Sequence, residues 1–283
     1  MQTQNQLKEM VRRKYSEVAL KHKISDQASC CGPGCCTSEP YTIMADDYTS
    51  LEGYNPDADL GLGCGLPTEF ANIKKGDIVI DLGSGAGNDA FIARHATGET
   101  GKVIGIDFTT AMIERARKNA EARGFTNVEF RQGDIDDMPV TSNKADVIVS
   151  NCVLNLVPNK HKVFSEIFRV LKPGGHFSIS DIVLEGNIPG KWKEVAELYA
   201  GCISGAIQMK EYLDIIEEAG FSGILVQKEK KIHLPDDILS DNLSEEEIND
   251  YKNSAVSIKS ITVYAEKPSK DNRNCCGPES KCC

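Results

Sequence analysis

The chain is 283 residues long, with 40% hydrophobic residues, 26% charged residues and a formal net charge of −10. Those values describe one large globular domain, or one with an appended lobe, and the acidic balance disfavours nucleic acid or an anionic membrane surface as partner. No apolar run reaches the roughly 18 residues of a spanning helix, and the opening MQTQNQLKEMVRRKY lacks the apolar core of a secretion signal. A cytoplasmic monomer is expected. Cysteine is the anomaly: 11 residues, an odd number, in a compartment where structural disulfides are rare.

In chain order, residues 7–19 place Leu7, Met10, Val11, Tyr15, Val18 and Ala19 at helical spacing, the apolar face of an amphipathic helix docked on the main domain. The segment 29–40, SCCGPGCCTSEP, reads as a loop and resembles the chain's last ten residues, NCCGPESKCC. Between them, apolar runs at 76–83, 101–108, 128–134, 145–151 and 175–183 read as strands of a sheet covered on both faces. Helical patterns at 88–96, 109–123 and 160–171 alternate with them, and Lys172-Pro173-Gly174-Gly175 stops the last. This alternation predicts a doubly wound α/β sheet. Beyond 186 the segments 190–201, 209–219 and 241–252 read as helices, and FSGILVQKEK and SITVYAEKP as late strands. The expected organisation is an N-terminal helix and Cys-rich loop (1–40), a ligand-binding domain (41–186), a smaller covering lobe (187–266) and a Cys-rich tail (267–283).

The first strand runs into Asp81-Leu82-Gly83-Ser84-Gly85-Ala86-Gly87. Glycines there let the backbone turn tightly and approach a ligand at a helix start. The next strand ends in Asp107, where a carboxylate can accept ribose hydroxyls, and the third in Asp134. A nicotinamide cofactor calls for G-x-G-x-x-G, whereas the spacing here is G-x-G-x-G, and Asp81 suits a cationic ligand better than a diphosphate. Over 70–185 the chain therefore resembles the class I S-adenosylmethionine-dependent methyltransferases, whose fold is Rossmann-like. The resemblance implies S-adenosylmethionine as cofactor, with Asp81, Gly83, Gly85, Gly87, Asp107 and Asp134 in its site.

Three cysteines stand apart from the terminal clusters: Cys64 in GLGCGLP, Cys152 in SNCVLNLVP and Cys202 in LYAGCISGA. Cys152 follows the fourth strand, at the rim where such sheets bind ligands, and Cys202 and Cys64 lie in segments able to cover it. As residues they fit three further readings: small buried hydrophobes, a zinc site without its fourth ligand or paired spacing, or a nucleophile without a neighbouring base. Thiolates also suit soft acceptors, trivalent arsenic among them.

Over 41–210 the three motifs, with YNPDADLGLGCG and DLGSGAGND, resemble the arsenite S-adenosylmethionine methyltransferases. The resemblance implies that Cys64, Cys152 and Cys202 hold As(III) before the sulfonium methyl, that arsenite and then methylarsenite are methylated in arsenic detoxification, and that thioredoxin or a small thiol reduces a resulting enzyme disulfide. The glycines around Cys64 mark it as the mobile arm of the three. Asn151 is a further cofactor-site candidate, and Tyr54 one for a cation–π contact with the sulfonium. Trp192, in the covering lobe, reads as packing. Two other functions remain open at this point: methylation of a small organic substrate such as a quinone or sterol, and metalloid sequestration by the terminal clusters.

Overall fold

A computed structural model describes residues 4–21, 46–186, 205–232, 240, 244–253 and 257–269. The predicted β-α alternation forms a seven-stranded sheet. In chain order the elements are α1 (Gln4–Lys21), α2 (Pro67–Phe70), β1 (Ile78–Leu82), α3 (Asn88–Thr97), β2 (Lys102–Asp107), α4 (Thr110–Ala122), β3 (Val128–Gln132) and β4 (Ala145–Asn151). After a short 3-10 turn (Leu154–Leu156) come α5 (Lys160–Val170), β5 (Leu171–Glu185), α6 (Met209–Glu218), β6 (Ser222–Ile232), α7 (Glu245–Asn253) and β7 (Ser257–Glu266). The sequence reading carried no sign of α2 or the 3-10 turn, both too short to show a period.

The strand order is β3-β2-β1-β4-β5-β7-β6. The first five strands are parallel, with Val79 opposite Val103 and Val147, and Val103 opposite Val128. The order reverses between β1 and β4, which opens a crevice beyond their carboxyl ends. The Val/Ile runs of β1, β2 and β4 are buried on both faces, because helices cover each side. One core layer holds Ile80, Ile104, Ile148, Phe164, Phe177 and Tyr212, and the other Val79, Val103, Val147, Phe91, Met112 and Phe130.

The sheet continues past residue 186. β7 pairs antiparallel with β5 and β6 antiparallel with β7, so the described part of 187–266 extends the same sheet instead of standing apart from it. β6 is an edge strand, and its Lys228 and Lys230 reach Asp46 at 3.2 and 2.5 Å, charge that blunts an edge against further pairing.

Lys172–Gly175 does end α5, but as a bulge inside β5: Leu171 pairs with Ala145 and His176 with Val147. Gly174 takes φ +80° there, and the buried Lys267 Nζ donates to the carbonyls of Phe168 and Leu171 at 2.7 Å each. α1 packs where its apolar face predicts, with Val11, Val18 and Ala19 buried. The predicted helix 190–201, Cys202, Trp192 and both terminal cysteine clusters lie outside the described residues. Among the described residues no helix is long and apolar enough to cross a membrane.

Candidate functional site

A cavity opens at the carboxyl ends of the parallel strands. Its walls come from the turn after β1, the end of β2, the segment after β3 and the end of β4. The turn after β1 is tied down by Gly83 and Ser84, whose N–H groups both donate to Ile106 O at 2.8 and 2.9 Å. Gly83, Gly85 and Gly87 all have positive φ, at +67°, +50° and +103°. Their neighbours differ. A Cβ at Gly83 would meet Val153 at 2.4 Å and one at Gly87 would meet Phe130 and Phe91 at 2.9 Å, whereas one at Gly85 meets nothing within 4 Å. Gly83 and Gly87 thus serve packing as well as backbone shape, and Gly85 keeps space open beside the cavity.

Three buried carboxylates line the wall. Asp107 accepts the Gly85 N–H at 3.0 Å and the Thr109 N–H at 2.8 Å, and burial still raises its pKa. Asp81 is pushed well above the usual carboxylate range by burial and then by Asp89 and Asp107. Its Oδ2 has no hydrogen-bond partner among the described residues. Asp89 is pushed up to about 6 by burial, although Tyr48 and Asn151 donate to it. Buried charge without a counter-charge is costly, so the wall favours a cationic ligand. A cofactor carrying a sulfonium, an ammonium and ribose hydroxyls fits this set: positive charge for the carboxylates, donors for Asp81 Oδ2 and for the remaining lone pairs of Asp107.

Across the opening, α1 contributes Lys8, Val11 and Tyr15. Lys8 Nζ reaches both oxygens of Asp136 at 3.0 Å and Asp134 at 3.4 Å. Asp134 therefore lines the cavity beside a lysine that the sequence reading did not pair with it. Met112, Leu156 and Val157 add apolar surface, suited to a flat heterocycle.

At the β4 rim sits Cys152, 3% exposed and on the cavity lining. Its φ of +59° is an uncommon conformation for a residue with a Cβ, held by its N–H donating to Ser180 O at 2.8 Å. Cys64 is fully buried, off that lining. Its N–H donates to Asn151 Oδ1 at 3.0 Å and its carbonyl accepts from the Ser260 hydroxyl. Burial, then Asp181, and also Cys64 and Cys152, raise the pKa of the Tyr212 hydroxyl, so both cysteines lie within electrostatic reach of one phenol.

The glycines flanking Cys64 have another use than the expected hinge. A Cβ at Gly63 would fall 2.6 Å from Asn151 Nδ2, and one at Gly65 would fall 2.5 Å from Ser180 Oγ. They permit close seating, and the loop is seated. Near the third cysteine, Gly205, three residues beyond Cys202, accepts a bond from the buried Lys160 Nζ at 2.9 Å. Among the described residues no three His, Cys, Asp or Glu side chains are grouped to hold a metal ion.

Asn151 lines the cavity. Tyr54 does not; its hydroxyl donates to Asp59 at 3.1 Å. Besides Tyr15 of α1, the lining holds Tyr48, whose hydroxyl reaches Asp89 at 3.0 Å. Sequence reasoning missed Tyr48, Asp89 and Lys8. Asp89 carried a usable signal, an acid directly after the glycine turn at a helix start; Tyr48 and Lys8 lie in segments with no motif.

Residues 73–220 match the model of a methyltransferase domain family. The chain is 36% identical over 281 residues to the arsenite methyltransferase of Halobacterium salinarum, covering 94% of this chain and 68% of that one. It is 36% identical over 170 residues to the arsenite methyltransferase of Homo sapiens, covering 56% of this chain and 44% of the relative. Among solved structures, the arsenic (III) S-adenosylmethionine methyltransferase of Chlamydomonas reinhardtii superposes with a TM-score of 0.64 at 31% identity, covering 80% of this chain and 72% of that one.

Proposed function

The chain belongs to the arsenite methyltransferases, within the class I S-adenosylmethionine-dependent methyltransferases, and we propose that it methylates arsenite and then methylarsenite held by Cys64, Cys152 and Cys202. The observation that carries this is Cys152, a thiol lining the same cavity as the carboxylates Asp81, Asp89 and Asp107. S-adenosylmethionine supplies an electrophilic methyl group on a positively charged sulfur.

The chain's own residues do the rest. Asp81 and Asp89 take the positive charge, Asp107 accepts the ribose hydroxyls, Gly85 lets the backbone approach, and Asp134 with Lys8 borders the ring. Cys152 holds arsenic on the methyl side, and Cys64 and Cys202 close around it. Catalysis is then mainly positioning and exclusion of water. No acid is required, because the leaving group is a neutral thioether. The arsenic lone pair becomes the new carbon bond, so arsenic passes from trivalent to pentavalent. Two thiols return two electrons as a disulfide, which thioredoxin or a small thiol reduces. This chemistry serves arsenic detoxification in a cytoplasmic monomer.

The test is incubation with S-adenosylmethionine, arsenite and excess thiol, with arsenic species separated by mass spectrometry. One demethylated cofactor should appear for each methyl group found on arsenic. Arsenite bound without cofactor turnover would replace this reading with sequestration.

A further inference from the structure

Asn151 and Tyr48 face two ways. Both line the cofactor cavity, and both hold the loop that carries Cys64. Asn151 Oδ1 accepts the Cys64 N–H at 3.0 Å, and its Nδ2 donates to Gly65 O at 2.8 Å. The same Nδ2 contacts the Tyr48 hydroxyl and, at 3.4 Å, Asp89. The Tyr48 hydroxyl reaches Gly65 O at 3.1 Å and the two Asp89 oxygens at 3.2 and 3.0 Å.

A proton count shows what this arrangement needs. The Asn151 amide brings two protons and the Tyr48 hydroxyl one. They face three acceptors: Gly65 O, the Tyr48 oxygen and the Asp89 carboxylate. The shorter contacts favour one assignment that satisfies all of them, with Tyr48 donating to Asp89 at 3.0 Å and Asn151 donating to Gly65 O at 2.8 Å and to Tyr48. An ionised Asp89 holds Tyr48 in that pattern, because both of its oxygens only accept. A protonated Asp89 keeps one acceptor oxygen but brings a fourth proton, which frees Tyr48 to turn toward Gly65 O, in competition with Asn151. The charges that act on Asp89 most are Asp59 and Asp81, both acidic, and among the described residues no Lys, Arg or His forms an ion pair with it.

We propose that the Asp89–Tyr48–Asn151 network couples cofactor binding to the seating of Cys64. A cationic cofactor in the cavity keeps Asp89 an anion, which fixes the donor pattern of Tyr48 and Asn151 and locks the Cys64 backbone in place. The proposal rests on the cavity being the cofactor site. Its consequence for the proposed reaction is cooperative binding of cofactor and arsenic, reciprocal by linkage, so the third thiol closes when a methyl donor is present. Tyr48 and Asn151 act here as positioning residues.

The test needs no arsenic. Cys64 is fully buried, so its alkylation by iodoacetamide reads how often the loop opens. Because Cys64 is off the cavity lining, a ligand in the cavity does not shield it directly. Cys152 is on the lining and reports occupancy. Labelling of each cysteine is followed by peptide mass spectrometry with and without sinefungin, an unreactive cofactor analogue carrying an amine. Sinefungin should slow Cys64 labelling about tenfold, the scale of an ordinary coupling. Tyr48→Phe and Asn151→Ser should each lose most of that factor at sinefungin saturation. The readout is a ratio within each variant, so a change in overall stability cancels. Sinefungin binding with no protection of Cys64 would overturn the coupling alone. Equal protection in both variants would overturn the role of the network. Failure of sinefungin to bind, measured by calorimetry, would overturn the cofactor reading and the coupling together.

Discussion

At the scale of single residues, the carboxylate wall makes cofactor binding depend on pH. Asp89 is held up at about 6 by burial, against 3.8 for a free carboxyl. An acid whose pKa is raised on folding contributes stability below its unfolded pKa and loses it as pH rises through the folded value. The ligand-free protein should therefore lose on the order of 3 kcal/mol from this group between about pH 4 and pH 7. A cation that binds the ionised form reverses part of that loss. Sinefungin affinity should rise with pH through about 6, with proton release visible in calorimetry across buffers of different ionisation heat. Affinity flat from pH 5 to 7.5 would remove Asp89 from the site. The glycine turn yields a second contrast. Both Gly85 and Gly87 have positive φ, so alanine strains either by about 1 kcal/mol. Only at Gly87 does the new methyl also collide, with two phenylalanine rings. Gly87→Ala should cost a further 1–3 kcal/mol, roughly, in thermal or denaturant unfolding. Gly85→Ala should cost no more than that strain of about 1 kcal/mol in the melt and lower cofactor affinity in calorimetry, because its methyl enters open space beside the cavity.

At the scale of elements, α1 lines the cavity proposed for the cofactor, and its removal tests whether it does more than dock. Val11 is 1% exposed, and Lys8 bridges to Asp134 and Asp136. Burying one valine contributes roughly 1.5–3 kcal/mol, while the ion pairs, which Lys8 makes from a partly solvated position, add less. Removing residues 1–21 should weaken sinefungin binding by about tenfold or more while β1–β5 keep their fold, checked by calorimetry and circular dichroism. Unchanged affinity would show that α1 only covers the domain. The helix itself was legible, because its apolar residues recur at helical spacing over almost the whole element. The strands β1, β2 and β4 were legible for a related reason: a strand buried on both faces is apolar over most of its length, and these turn polar mainly toward their ends. What its residues do was not legible. Lys8 meets its partners 126 and 128 residues along the chain, and no local pattern records such a distance. The same holds for β7, whose place between β5 and β6 is set by long-range pairing.

At the scale of the whole molecule, the fold gathers chemistry from segments that local patterns cannot relate. The glycine turn, Asp107 and Cys152 were readable because a doubly wound sheet brings the carboxyl ends of its parallel strands to one rim. Cys64 precedes the sheet, and nothing periodic placed it; its seat depends on Asn151, Ser180 and Ser260, from three different strands. Its flanking glycines read as a hinge and turned out to be points of close approach. That changes what removing Cys64 should do. A hydroxyl in place of the seated thiol is a poor ligand for arsenic but leaves the loop in place, so Cys64→Ser should keep the Asn151 and Ser260 bonds, which use only the backbone of residue 64. Valence then sets the outcome. Inorganic arsenite offers three exchangeable oxygens and methylarsenite two, since one position already carries carbon. With Cys152 and Cys202 intact, methylarsenite still finds both of its sulfur ligands, whereas arsenite is left with an oxygen in the third position and a poorer lone pair for attack. Cys64→Ser should lower the rate on arsenite by about a hundredfold or more, roughly 3 kcal/mol of transition-state stabilisation, and change the rate on methylarsenite by less than about threefold. Cys152→Ser should abolish both. Each arsenical is supplied separately with excess thiol, and methylated product is counted by mass spectrometry. Equal losses on both substrates in the Cys64 variant would mean that all three thiols are needed throughout, and an active Cys152 variant would remove arsenic from the β4 rim.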